Sequence, residues 1–135
     1  MTIPFELTAT DAIKLIRENK LSRYEWVQSC FERIREKEDL VKAWVYLDED
    51  RALEKAKQLD NENNESQLGI PFGIKDIIDA SNTPTGFGTN FYQNNVPMRD
   101  AASVAVAKQS GCIFIGKTVS TELGHRAPGL TTNPH

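Results

Sequence analysis

The chain has 135 residues, of which 39% are hydrophobic, 26% charged and 8% aromatic, and its formal net charge is −3. That balance fits a globular protein long enough to bury a core, and it excludes a wholly disordered or fibrous chain. Lys and Arg are interspersed with acids, so there is no positive field to gather nucleic acid or an anionic membrane, whereas a small neutral substrate is compatible with the surface.

The start, Met1-Thr2-Ile3-Pro4-Phe5-Glu6, lacks the basic and apolar regions of a secretion signal, and no later run approaches the ~18 apolar residues of a membrane span. Cys30 and Cys112 show no CxxC spacing, and Cys112 opens the apolar run Cys112-Ile113-Phe114-Ile115, which predicts buried, reduced thiols and a cytoplasmic protein. Without a secretion signal, Asn64-Glu65-Ser66 is a sequon by composition only.

Thr8 with Asp11 three residues on predicts a short capped helix carrying Leu15 and Ile16 and ending near Asn19. Ser22 with Glu25 makes a second capping box, and Val27, Cys30, Phe31 and Ile34 then repeat at the spacing of a buried helix face. Arg33, Arg35, Glu36, Lys37 and Glu38 belong to the solvated face and end of that helix. Ala43-Trp44-Val45-Tyr46-Leu47 reads as a strand, after which Asp48 or Asp50 can cap a helix bearing Ala52, Leu53, Ala56 and Leu59. Residues 60–67 are polar and aperiodic and predict an exposed loop. Trp26 and Trp44 read as core anchors.

From Leu68 the texture changes. Residues 70–78 can hold a strand with irregular ends, and residues 80–99 contain too many turn formers for regular structure. Asp100 is expected to cap a helix bearing Val104, Gly111 is placed to end it, and the run from Cys112 to Ile115 reads as a strand buried in a parallel sheet. Gly111-Cys112-Ile113-Phe114-Ile115-Gly116-Lys117-Thr118 matches the Walker A spacing. A phosphate loop needs a strand before it, flexible backbone within it and a helix after it, whereas here a helix precedes and the middle is a core strand, so the match is read as accidental.

Taken alone, Lys75 reads as a solvated residue at a strand end; the apolar, glycine-interrupted approach of Gly69-Ile70-Pro71-Phe72-Gly73-Ile74-Lys75-Asp76 predicts instead a desolvated ammonium able to act as a base near neutral pH. This segment resembles the conserved-lysine motif of the amidase-signature family. The similarity continues in order through the Thr/Gly-rich loop at 83–89, Asp100-Ala101, Gly111-Cys112-Ile113, a Gly116-Lys117-Thr118 turn, Thr121-Glu122 and Thr132-Asn133-Pro134. It covers residues 68–135 clearly and the N-terminal helices loosely.

The resemblance implies amide hydrolysis by a triad of lysine, a serine in a cis peptide bond and a nucleophilic serine, with Lys75 as the lysine and no metal or organic cofactor. Both family serines lie in a Gly/Ser-rich stretch shortly after the position of Asn133-Pro134, and His135 closes this sequence before it. Ser103, Ser110 and Ser120 match no catalytic position, and His125 and His135 have no ligand partners at a usable spacing. The expectation is therefore an α/β fold, with N-terminal helices followed by part of a mixed β-sheet flanked by helices, the remaining sheet edges being unpaired. Within a single domain over 1–135, residues 1–60 form a helical lead-in with one strand and 68–135 the lysine-motif region. The implied function is that of an N-terminal amidase portion, inactive alone and acting on a small amide only when a C-terminal portion completes it. The alternative is a non-catalytic remnant that self-associates as a homo-oligomer through an exposed sheet edge.

Overall fold

The computed structural model describes residues 3–62, 64 and 66–134. Glu65 of the sequon and His135 lie outside the described residues. In chain order the elements are α1 (Ala9–Arg17), α2 (Arg23–Val41), β1 (Trp44–Leu47), α3 (Glu49–Glu62), β2 (Pro71–Lys75), α4 (Ala102–Gln109) and β3 (Ile113–Thr118), with short 3₁₀ turns at Pro4–Glu6, Asn90–Tyr92 and Glu122–Gly124. None of the described helices is long and apolar enough to cross a membrane.

The side-chain caps predicted for the first two helices form. Thr8 Oγ1 accepts the Asp11 amide at 3.1 Å, and α1 ends just before Asn19, whose φ of 53° turns the chain away. At α2 the Ser22 hydroxyl accepts the Glu25 amide at 3.1 Å while the Glu25 carboxylate accepts the Ser22 amide at 2.8 Å, a capping box of about 1 kcal/mol. The next two amides of α2, at Arg23 and Tyr24, donate to the Asp60 carboxylate of α3 at 2.9 and 3.0 Å, so the start of one helix is tied to the end of the other. The far end of α2 is closed by the C-terminal segment, where Thr132 donates its amide to the Val41 carbonyl at 2.9 Å and Thr131 its hydroxyl to the Lys42 carbonyl at 2.8 Å.

The apolar stripe of α2 buries Val27 and Phe31 against Ala52, Ala56 and Leu59 of α3 and against Ile113 and Ile115 of β3. Ile34 and Trp44 pack at its margin. Cys30 and Cys112, expected to be buried, are only half-buried. A second cluster, Ile74, Ala80 and Val104 with Phe72 and Phe114 beside it, fills the other face of the sheet under α4.

The sheet is mixed, in the order β1-β3-β2, with β3 antiparallel to β1 and parallel to β2, which is the α/β class expected. Among the described residues β1 and β2 are edge strands, each with one side unpaired. Three local expectations are corrected. Residues 116–118 are not a turn but the second half of β3. Asp100 does not cap α4, whose N-cap is Ala101; its carboxylate instead accepts the Ser81 amide at 2.7 Å and Lys108 Nζ at 2.8 Å. The helical part of the chain also runs into the asparagine-rich segment, because α3 continues to Glu62.

An irregularity in β3 decides which side chains face where. Phe72 pairs with Phe114 but Gly73 pairs with Gly116, so one extra residue is inserted in β3 at this point. Strict alternation would put Lys117 on the same face as Ile113 and Ile115. The insertion moves it to the opposite face, opposite Ile74 and under α4. Glycine is required here by close approach, since a Cβ on Gly116 would come within 2.3 Å of the Tyr46 carbonyl oxygen and one on Gly73 within 2.6 Å of the Trp44 ring. The Trp44 indole thus lies over β3 and reaches β2.

Candidate active site

Lys75 ends β2 with Thr118 as its register partner. Alternation buries Ile74 and Asp76 and turns Lys75 to the other face, where its side chain is exposed and forms no hydrogen bond or ion pair among the described residues. The desolvated setting predicted for Lys75 is therefore not what this structure shows. The apolar residues of its motif serve the cluster under α4 and leave the lysine outside it.

The desolvated lysine is Lys117. Its side chain is fully buried, and Nζ donates to the Ile78 carbonyl and, at 2.8 Å, to Thr85 Oγ1, with Asp76 Oδ1 at 3.9 Å. Burial holds its pKa below the ordinary lysine value, and the Asp76 and Asp79 carboxylates oppose that shift. The Walker-like spacing is thus a central strand whose lysine points into the protein, away from any phosphate.

The segment after Lys75 folds around this ammonium. Asp76 donates its amide to the Thr118 carbonyl at 2.9 Å, its carboxylate accepts the Gly86 amide at 3.0 Å, and its carbonyl accepts the Phe87 amide at 2.9 Å. The Ile78 amide returns to the Lys75 carbonyl at 3.0 Å. Thr83 and Thr85 are buried, and Thr85 exchanges hydrogen bonds with Asn95: amide to carbonyl at 2.9 Å, and Asn95 Nδ2 to the Thr85 carbonyl at 3.0 Å. Leu123 donates its amide to the Phe87 carbonyl at 2.8 Å, which docks the segment after β3 on this loop. Between them runs an open cleft of about 670 Å³, bordered by Tyr46, Asp76, Gly86, Asn90, Gln93 and Glu122 among others.

The serines singled out from the sequence lie where it placed them. Ser103 is exposed on α4, Ser110 caps its C-terminus and donates to the Val106 carbonyl at 3.1 Å, and Ser120 is buried after β3, donating to the Thr121 carbonyl at 2.9 Å. None of these hydroxyls meets Lys75. His125 is exposed, with Nδ1 3.0 Å from the Leu123 carbonyl oxygen, and among the described residues no group of three or more His, Cys, Asp or Glu side chains is placed to hold a metal. Sequence reasoning missed the polar cluster of Lys117, Asp76 and Thr85. The one sign of it in the sequence is Gly116, a glycine inside the strand directly after its apolar run.

Comparison with known proteins matches the Amidase family over residues 25–133. A glutamyl-tRNA(Gln) amidotransferase subunit from Fusobacterium nucleatum is 34% identical over 133 residues, covering 95% of this chain and 27% of its own length. The corresponding protein of Endomicrobium trichonymphae is 34% identical over 113 residues, covering 80% and 23% respectively. Among solved structures, the peptide amidase of Stenotrophomonas maltophilia superimposes with a TM-score of 0.80 at 26% identity, over 90% of this chain and 26% of its own. A fatty acid amide hydrolase shares the fold at a TM-score of 0.86 and 21% identity, over 99% of this chain and 26% of its own. The chain spans about a quarter of the length of these relatives. With the lysine segment, the Thr/Gly loop, α4 and the Gly-Lys-Thr strand in sequence and most of the chain matched, the chain belongs to the amidase-signature family.

Proposed function

We propose that this chain carries the catalytic lysine, Lys75, of an amidase-type hydrolase acting on a carboxamide, and that the 135 residues alone do not turn it over. The observation that carries this reading is the placement of Lys75 in its motif: at the end of a parallel strand, with an ammonium that no described residue engages. In the full reaction Lys75, deprotonated, takes a proton through the cis serine from the nucleophilic serine. The serine oxygen bonds to the carbonyl carbon, the C–N bond breaks and the amine leaves with a proton; water then hydrolyses the acyl ester. Both serines and the backbone donors for the oxyanion belong to the larger family fold and have no counterpart in this sequence. Packing of that larger fold over Lys75 would supply the desolvation absent here. The curated relatives are named for amidotransfer and the solved neighbours for amide hydrolysis, which supports a carboxamide as the substrate class.

The test is hydrolysis of simple amides and esters by the chain alone and after mixing with a separately expressed C-terminal portion of a relative. No turnover alone, turnover in the mixture, and a loss of ~10²-fold or more with Lys75→Ala are expected. Lysine-dependent turnover by the chain alone would sink the inactivity, and turnover indifferent to Lys75→Ala would sink the role of the lysine. Phe91 and Met98, each 91% exposed, favour self-association as the second reading, which a monomeric sedimentation profile would overturn.

A further inference from the structure

Lys117 is a cation placed where the sheet does not need one. Its neighbours across the strand and under α4, Ile74 and Val104, are apolar, and in such a setting a well-packed apolar side chain is often as stable as a buried ion pair. What an apolar side chain would not do is bind the Ile78 carbonyl and the Thr85 hydroxyl beside the Asp76 carboxylate.

Those contacts lie immediately after Lys75. The turn from Lys75 to Ile78 is held at its near end by the Asp76 amide on Thr118 and closed by the Ile78 amide on the Lys75 carbonyl, both within 3.0 Å. Its far end is held by Lys117 alone among the described side chains, through the Ile78 carbonyl. The same ammonium holds Thr85, next to Gly86, whose amide binds Asp76.

We propose that Lys117 is a positioning residue for Lys75: by binding Ile78 and Thr85 from the opposite face of the sheet, it fixes the turn after β2 and so the direction in which Lys75 leaves the strand. The inference rests on reading Lys75 as the base. A base must sit within hydrogen-bond reach of its proton donor, and a misplacement of ~1 Å costs on the order of 10²-fold in rate. Lys117 touches no substrate in this scheme and acts only through the backbone it holds.

The experiment compares the wild-type chain with Lys117→Met and with Thr85→Val, the second being an isosteric change that keeps the lysine and preserves folding if the first does not. Amide hydrogen exchange at Ile78, Gly86 and Phe87 should quicken by about tenfold or more, with the α2 amides unchanged. In the mixture with a C-terminal portion of a relative, kcat should fall by about tenfold or more with KM held within about twofold. Unchanged exchange at those three amides in both variants overturns the inference, whatever the activity does. Faster exchange with kcat intact, while Lys75→Ala abolishes turnover, also overturns it and leaves the lysine's own role standing. If Lys75→Ala leaves turnover intact, that role fails and the inference falls with it.

Discussion

The two sides of the sheet are filled by different means. Toward α2 and α3 the interior is apolar, with Val27, Phe31, Ala52, Ala56, Leu59, Ile113 and Ile115 in one cluster. On the other side the apolar cluster is smaller, and Lys117, Asp76, Thr83 and Thr85 are buried near it. The first side is stabilised in proportion to the area and volume it fills. The second is stabilised only while each donor and acceptor keeps its partner, since a buried polar group left unpaired costs about 1–3 kcal/mol. One side is therefore sensitive to lost volume, and the other, sensitive to a lost hydrogen-bond partner, specifies a single arrangement of the loop around the candidate active site.

The largest expected effect is on the apolar side. Phe31 is 1% exposed in the middle of the cluster, and Phe31→Ala should destabilise the chain by about 3–5 kcal/mol through lost burial and the cavity left behind. Urea unfolding followed by circular dichroism measures this; a loss below ~1 kcal/mol would mean that α2 and α3 collapse into the space and that the cluster is not close-packed.

A smaller effect, carried by charge, marks the polar side. Burial lowers the Lys117 pKa from its ordinary value of 10.5, so the folded chain releases this proton at a lower pH than the unfolded chain does. Between the lowered value and 10.5 the unfolded chain holds more protons, and stability rises with pH across that window and is lost as pH falls back through it. Cys30 acts with the opposite sign, because burial pushes its thiol from 9.0 to about 11. The measurement is therefore a difference: across the alkaline window the stability of wild type should climb relative to that of Lys117→Met. Parallel curves would show that Lys117 keeps its proton equally well folded and unfolded.

The apolar side was legible in the sequence and the polar side was not, and the reason is geometric. The stripe of Val27, Phe31 and Ile34 repeats at the helical period, and the Ser22–Glu25 capping box is a local motif whose partners are three residues apart, so both follow from spacing alone. Asp100 failed as a predicted cap because its carboxylate is taken by the Ser81 amide from the preceding loop and by Lys108 near the far end of α4. Lys117 was hidden for a sharper reason: an extra residue in β3 inverts the alternation just before it, so a period-two pattern carried on from Ile113 and Ile115 assigns it to the wrong face. The lysine motif was recognisable as letters, yet its burial could not be read from apolar neighbours that alternate away from it. Ile74 and Asp76 turn inward, and Lys75 between them turns out.

The smallest expected effect isolates this contrast between the two lysines. Lys75 is exposed and has no side-chain hydrogen bond or ion pair among the described residues, so Lys75→Ala removes no such bond that folding has made. Its side chain is exposed, and the change in stability should stay within about 0.5 kcal/mol, the range of ordinary surface substitutions. The same denaturation series checks it. A loss above ~1 kcal/mol would mean that Lys75 is engaged in solution by groups it does not meet here, and the view of it as a free side chain held in place only through its backbone would have to be abandoned. A null result has the opposite force. A lysine that adds nothing to the stability of the fold, at the start of a turn whose Asp76 and Ile78 groups are hydrogen-bonded on both sides, is free to serve chemistry, because changing it costs the fold nothing.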